Sequence, residues 1–410
     1  MPNAVTYHVP GATLTEREHT VPLDHAATDG PRISVFTREV SAEGGEAKPY
    51  LLFLQGGPGM EATRPTAPPT GWMKRALRDY RVLLLDQRGV GRSTPVGAQI
   101  PGATPQEQAN YLTHFRADSI VRDSEVIRQE LNGGQPWSVL GQSFGGFTSM
   151  AYLSIAPHGL REAFITGGLS PIGRTADEVY SRTWQRAIAK SKGYFERFPD
   201  DRQRARDIFK QLADEDVRLP GGDRLTANRF RMNGMWLGRS DGWELIHNLL
   251  ELPFGSAAFL WDAEAGASHF QRNPIYATLH ESSYADGVAT RWSAARTKPA
   301  EVDADGYFCG EHIYPEMWQD YGGLRAHAAA AQILAEYEWP RLYDAAVLRQ
   351  NDVPVAASIY TNDLYVDRDF ALESAATIRG LKAWETAEFE HNGLRADGER
   401  VFSTLFDLLH

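Results

Sequence analysis

The chain is 410 residues long and carries 53 acidic against 42 basic side chains, a formal net charge of −11. A surface of that sign repels phosphate backbones and anionic lipid, which disfavours nucleic-acid and membrane-surface binding. Its single cysteine, Cys309, excludes an internal disulfide and any Cys-rich metal cluster.

In chain order, the first elements read as short strands, Glu18 to Leu23 and Arg32 to Val40, with a turn at Asp29-Gly30-Pro31 between them. Three apolar runs follow. Tyr50 to Leu54 stops at Gly56-Gly57-Pro58-Gly59, Val82 to Leu85 ends at Asp86-Gln87-Arg88-Gly89, and Trp137 to Leu140 runs into Gly141. Continuous runs of this kind are what strands buried on both faces look like. Between the second and third, Ser119 to Leu131 sets Ile120, Val121, Val126, Ile127 and Leu131 close to helical spacing. Strand, helix, strand implies a βαβ crossover and hence an α/β sheet. The pattern returns late, with a strand over Val353 to Tyr360, a helix over Asp369 to Ile378, a strand over Trp384 to Phe389 and a helix over Glu399 to Leu409.

The middle reads differently. From about Arg174 to Glu336 the chain is charged and helix-favouring, and Trp184, Trp236, Trp243, Trp261, Trp292 and Trp318 all fall there. No alternation of buried strands interrupts it. The expected organisation is therefore α/β, a mostly parallel sheet flanked by helices, with a mainly helical cap inserted into it. Residues 1–173 form the first part of the core, 174–336 the cap and 337–410 the second part.

Gly141-Gln142-Ser143-Phe144-Gly145, followed by Gly146, fits G-x-S-x-G between a strand-like run and a segment, Phe147 to Ile155, that can be helical. That pattern places a serine on a tight, strained strand-to-helix turn, where flanking glycines remove side chains that would collide. A serine nucleophile needs a base, and the base an orienting carboxylate. Behind such an elbow the order along the chain is Ser, then Asp or Glu, then His. His391 follows the strand ending at Phe389, in a loop before the last helix, whereas His410 is the terminus. Asp363 ends the strand before it; Asp367 and Asp369 lie further on, and Asp352 sits at the wrong end. The oxyanion hole is expected from the backbone N–H of Phe144 and a donor in Gln55-Gly56-Gly57-Pro58-Gly59, at Gly56 or Gly57.

These stretches together resemble the proline iminopeptidase (prolyl aminopeptidase) family of α/β-hydrolases. Gln55 to Gly59 is similar to its His-Gly-Gly-Pro-Gly oxyanion loop, with Gln55 in place of histidine. Asp86-Gln87-Arg88-Gly89-Val90-Gly91-Arg92-Ser93 is similar to its Asp-Gln-Arg-Gly-x-Gly-x-Ser stretch, and Gly141 to Gly146 to its nucleophile elbow. The likeness continues to the larger members through Asn362-Asp363-Leu364-Tyr365-Val366 and His391-Asn392-Gly393-Leu394-Arg395. It implies an α/β-hydrolase core, a Ser143–His391–Asp363 triad and release of an N-terminal residue, most often proline, from short peptides. It also implies that acidic cap residues sense the free amino terminus. Glu281 and Glu311, each set among aromatics and histidines, are the candidates.

Other readings stay open on these residues: an esterase, amidase or lactonase on the same core, or a hydrolase-like binding protein without turnover. The cap tryptophans are expected in its core more than against a ligand. His269, His280 and His312 suggest a metal, but there is no H-E-x-x-H and a serine triad needs neither metal nor cofactor. No run reaches the ~18 to 20 apolar residues of a membrane-spanning helix. The start, Met1-Pro2-Asn3-Ala4-Val5, lacks the marks of a signal peptide, so a cytoplasmic place is expected.

Overall fold

A computed structural model describes residues 4–410. Nine strands form one sheet in the order β1-β2-β3-β5-β4-β6-β7-β8-β9. They are β1 (Ala4–Val9), β2 (Ala12–Pro22), β3 (Arg32–Ser41), β4 (Tyr50–Leu54), β5 (Arg81–Leu85), β6 (Trp137–Gln142), β7 (Leu160–Thr166), β8 (Val355–Tyr360) and β9 (Leu381–Thr386). The first three strands and the β3–β5 contact are antiparallel, and every pairing from β5 through β4 to β9 is parallel. Parallel strands end on one edge, so the loops after β4, β6, β8 and β9 gather there.

The apolar runs are continuous because successive side chains serve two cores. Leu51 and Phe53 pack with Val82, Leu84, Leu140 and Phe164 on one face. Leu52 and Leu54 pack with Leu83, Leu85 and Val139 on the other. Helices cover both faces. Ala117–Asn132 and Phe144–Ile155 lie over the second core, and Gly398–Leu409 closes the first with Val401, Phe402 and Leu405. Gly133, in the left-handed region at φ 56°, stops the crossover helix where no β-carbon has to be accommodated.

Two strands depart from the sequence expectation. β7 carries Arg161 and Glu162, which break its apolar run. Glu162 is nonetheless buried, because its carboxylate accepts from Tyr80 Oη at 2.7 Å and Ser138 Oγ at 2.6 Å. β9 lies three residues earlier than Trp384 to Phe389, at the sheet edge, where only one neighbour covers it and Lys382, Ala383 and Glu385 stay exposed. Phe389, read as its end, instead packs edge-on to Tyr360 beneath the following loop. β2 also begins earlier than Glu18, and β1 precedes it.

Between β7 and β8 the described chain is helical and coiled apart from one isolated bridge, Arg218 to Arg224. Its longest helix, Ala176–Arg197, starts in a capping box in which Thr175 and Glu178 satisfy each other's backbone N–H. Pro199 then opens Pro199–Asp214 at a position where its missing N–H costs nothing. The second core runs unbroken into this region through Trp184, Phe308 and Trp318. Trp184 donates Nε1–H to Ala294 O at 2.8 Å, while Trp261 is 64% exposed. Among the described residues no helix is long and apolar enough to cross a membrane.

Candidate active site

Ser143 sits at the end of β6 with φ 55° and ψ −123°, a region an ordinary side chain avoids. Helix Phe144–Ile155 follows at once, and the turn is held by Ser143 N–H to Thr166 O at 3.0 Å and Gly146 N–H to Ser143 O at 2.7 Å. Glycine is required around it. A β-carbon on Gly146 would come 2.5 Å from Gly168 O, and one on Gly56 would come 3.0 Å from Ser143 Cβ and 2.6 Å from Gln142 Oε1.

The three residues named from the sequence meet here. His391 Nε2 lies 2.9 Å from Ser143 Oγ, and His391 Nδ1 lies 2.7 Å from Asp363 Oδ2. Because an ionised carboxylate accepts, Nδ1 carries the proton and Nε2 is free to accept from the serine hydroxyl. Asp363 is 1% exposed, and its other oxygen accepts from Tyr365 N at 2.8 Å and Val366 N at 3.0 Å. Burial alone pulls the imidazole pKa down, but the Asp363 charge and hydrogen bond outweigh it and leave His391 above 6.5. The rival aspartates serve elsewhere. Asp367 caps helix Arg368–Thr377 by accepting from Asp369 N at 3.1 Å and Phe370 N at 3.2 Å. Asp369 pairs with Arg368 at 2.8 Å, and Asp352 pairs with Arg379.

Phe144 opens its helix, so its N–H has no partner within it. Gly56 packs against Ser143 from the loop after β4, and Gly57 follows at φ 136°. The Asp86–Ser93 stretch holds this neighbourhood together. Gln87 Nε2 donates to Gln55 O at 2.8 Å, and Asp86 accepts from Ala62 N at 3.2 Å and Arg92 N at 3.0 Å. Arg88 grips Asp123 with two donors, at 2.7 and 2.5 Å, and also reaches Leu23 O and His114 O. Gln55, the departure from the family pattern, accepts from Thr63 at 3.4 Å.

Ser143 and His391 open into a cavity of about 500 Å³ whose wall includes Gly56, Gly57, Tyr276, Glu311 and Tyr365. Glu311 is 14% exposed there, accepts from the Tyr276 hydroxyl, and is lifted by burial to about 7. Glu281 is placed apart from this wall. Its carboxylate accepts from Ser293 N at 3.1 Å and Ala294 N at 2.9 Å, and it is 7% exposed. Tyr276, which no motif marks, lines the cavity and holds Glu311 through its hydroxyl. His269 also lines the wall, and His280 stacks on Tyr276 with Nε2 3.9 Å from Glu311; burial lowers both histidines to about 4. Among the described residues no group of three or more His, Cys, Asp or Glu is arranged to hold a metal ion.

A mostly parallel sheet with a glycine-bracketed serine turn at the end of a central strand defines an α/β-hydrolase, and residues 49–211 match the family described as alpha/beta hydrolase fold. A proline iminopeptidase of Aeromonas sobria is 44% identical over 423 residues, spanning 100% of this chain and 99% of its own. One from Aspergillus aculeatus is 33% identical over 428 residues, covering 97% of this chain and 94% of its own. One from Neisseria gonorrhoeae is 29% identical over 149 residues, covering 34% of this chain and 42% of its own. The chain belongs to the proline iminopeptidase family.

Proposed function

We propose that the protein is a serine aminopeptidase that releases N-terminal proline from short peptides through an acyl-enzyme. Family membership supports an N-terminal proline-releasing peptidase. The observation that carries the finer reading is one cavity holding both the Ser143–His391–Asp363 chain and the buried carboxylate of Glu311.

In this reading Ser143 Oγ attacks the carbonyl of the first residue while His391 Nε2 takes its proton. Asp363 holds the tautomer and stabilises the imidazolium that results. The N–H of Phe144 and of Gly56 or Gly57 receive the oxyanion. His391 then hands its proton to the leaving amine, and water attacks the acyl-enzyme by the same route in reverse. Glu311 meets the charged secondary amine of the substrate. A buried cation without a counter-charge costs several kcal/mol, on the order of the penalty for any unpaired buried ion, so this contact discriminates against blocked and internal peptides. Arrival of the cation also favours the ionised carboxylate, which burial alone disfavours. Glu281 takes a supporting role, holding the Ser293–Ala294 backbone within the cap.

The test compares proline anilide, alanine anilide, N-blocked proline anilide and a short-chain ester, with Ser143→Ala as control. The free-proline anilide is cleaved best, the blocked one hardly, and Ser143→Ala is inactive. Preferred turnover of the blocked anilide or the ester would favour an esterase or amidase and sink the aminopeptidase reading.

A further inference from the structure

The cavity wall carries an uneven charge. In a chain of net charge −11, its guanidinium and carboxylate side chains are three arginines, Arg64, Arg239 and Arg395, against one acid, Glu311. An overall acidic protein that keeps a basic rim around its reaction centre concentrates anions there.

Two of these arginines are presented by a pair of cross-bonded loops beside the triad. His391 N–H donates to Gly238 O at 3.1 Å, and Ser240 donates its N–H and hydroxyl to Asn392 Oδ1 at 3.1 and 2.9 Å. Arg239 follows Gly238 in the first, and Arg395 lies in the short helix Gly393–Ala396 that the second leads into. Arg239 is paired with Asp241, 63% exposed and two residues on, a contact of little worth in solvent. Arg395 is exposed. Arg64, 48% exposed, lies 3.8 Å from Asp86 on the same wall.

Both signs act on His391, which Glu311 pulls up and Arg395 pulls down. In amide hydrolysis the leaving amine receives its proton from the histidine, so the chain beyond the scissile bond leaves on the His391 side. One or two residues beyond that bond span about 4 to 7 Å. Guanidinium forks are the donors best matched to a carboxylate leaving on that side.

We propose that Arg239 and Arg395 bind the C-terminal carboxylate of a di- or tripeptide, so that the preferred substrates are short peptides with both termini free. The inference rests on the aminopeptidase reading above and adds the other end of the substrate to it. Glu311 reads the amine, and the rim arginines read the acid.

The experiment measures kcat/KM for Pro-Ala and for its C-terminal amide, beside proline anilide, in the wild-type protein and in the Arg239→Gln/Arg395→Gln double variant. In the wild type the free acid is favoured about tenfold over the amide, equivalent to about 1.4 kcal/mol, mainly through KM. In the double variant that ratio falls toward one. Because each protein supplies its own ratio, a general loss of activity does not mimic the effect. A second arm uses the wild type alone: raising salt from about 20 mM to about 500 mM shrinks the ratio, since the pairing is solvent-exposed. Equal cleavage of acid and amide by the wild type, or a ratio that survives both substitutions, overturns the proposal. Failure to cleave proline anilide at all strikes the aminopeptidase reading instead.

Discussion

Gly145 lies against the carbonyl of Leu54: a β-carbon placed on it would come 1.8 Å from Leu54 O and 2.5 Å from Leu54 C. The contact seats the first turn of the serine-bearing helix on the end of β4, where the loop carrying Gly56 and Gly57 begins. Ser143 and the Gly56–Gly57 loop are thus brought together by backbone touching backbone.

Gly145→Ala is expected to separate them. The clash is with main chain that cannot rotate away, so the substitution costs at least about 2 kcal/mol and moves the serine off its partners. Thermal unfolding and proline-anilide turnover check this. Native stability with native turnover would show that the seat yields more easily than the geometry indicates.

Asp363→Asn and Asp367→Ala test the assignment of the acid. Asparagine at 363 keeps the shape but lets Nδ1 lose its proton, so kcat falls by roughly 10³- to 10⁴-fold with little change in melting. Alanine at 367 removes the cap of helix Arg368–Thr377, costs about 1 kcal/mol of stability and leaves turnover close to wild type. The reverse pattern would exchange their roles.

Acidity should act on the active site through both of its ends. On the proposed function, Glu311 must be ionised to meet an ammonium, and His391 must be neutral to take a proton. Each requirement is met by losing a proton, so kcat/KM rises with pH and levels once Glu311 has passed about 7 and His391 its own raised value. Glu311→Gln leaves the limb that belongs to His391 and raises KM for free-amine substrates.

The same group gives a stability signature of opposite sign. Its folded pKa of about 7 exceeds the ordinary 4.5, so the folded state binds that proton more tightly. Its ionisation therefore costs nothing below about 4.5, increasingly destabilises the fold as pH rises toward 7, and does so fully above it. Glu311→Gln should raise the melting temperature at pH about 8, by about 2 kcal/mol of stability, and leave it little changed at pH about 4. A gain of equal size at both values would place its origin in packing.

Glu281→Gln is expected to behave differently. One of the two backbone N–H groups at Ser293 and Ala294 loses its acceptor, costing about 1 to 2 kcal/mol. The ratio of free to blocked proline anilide should stay as in the wild type. A selective loss for free amines would return Glu281 to the substrate.

Much of the core was legible because its signals are local. β4, β5 and β6 announce themselves as apolar runs, since each side chain along them enters one of two cores. β7 did not, because the partners that let Glu162 be buried, Tyr80 and Ser138, come from other segments. β9 was misplaced for the opposite reason. An edge strand has little burial to declare, and the apolar Phe389 beyond it belongs to a loop.

The sequence by itself singled out Ser143, Asp363 and His391 as candidates and set their order along the chain. A serine bracketed by glycines, an aspartate at a strand end and a histidine in the last loop are patterns that local backbone demands impose on neighbouring residues. The tertiary structure decided what surrounds them. It took Glu311 into the cavity with Tyr276 and left Glu281 on the Ser293–Ala294 backbone, although both glutamates stand among aromatics in the sequence. It also set Arg239 and Arg395 on one rim, from segments that meet through Gly238 and His391. A carboxylate's role depends on what desolvates it and a guanidinium's on which charges face it. Both are supplied by chain far away in sequence, which no local pattern records.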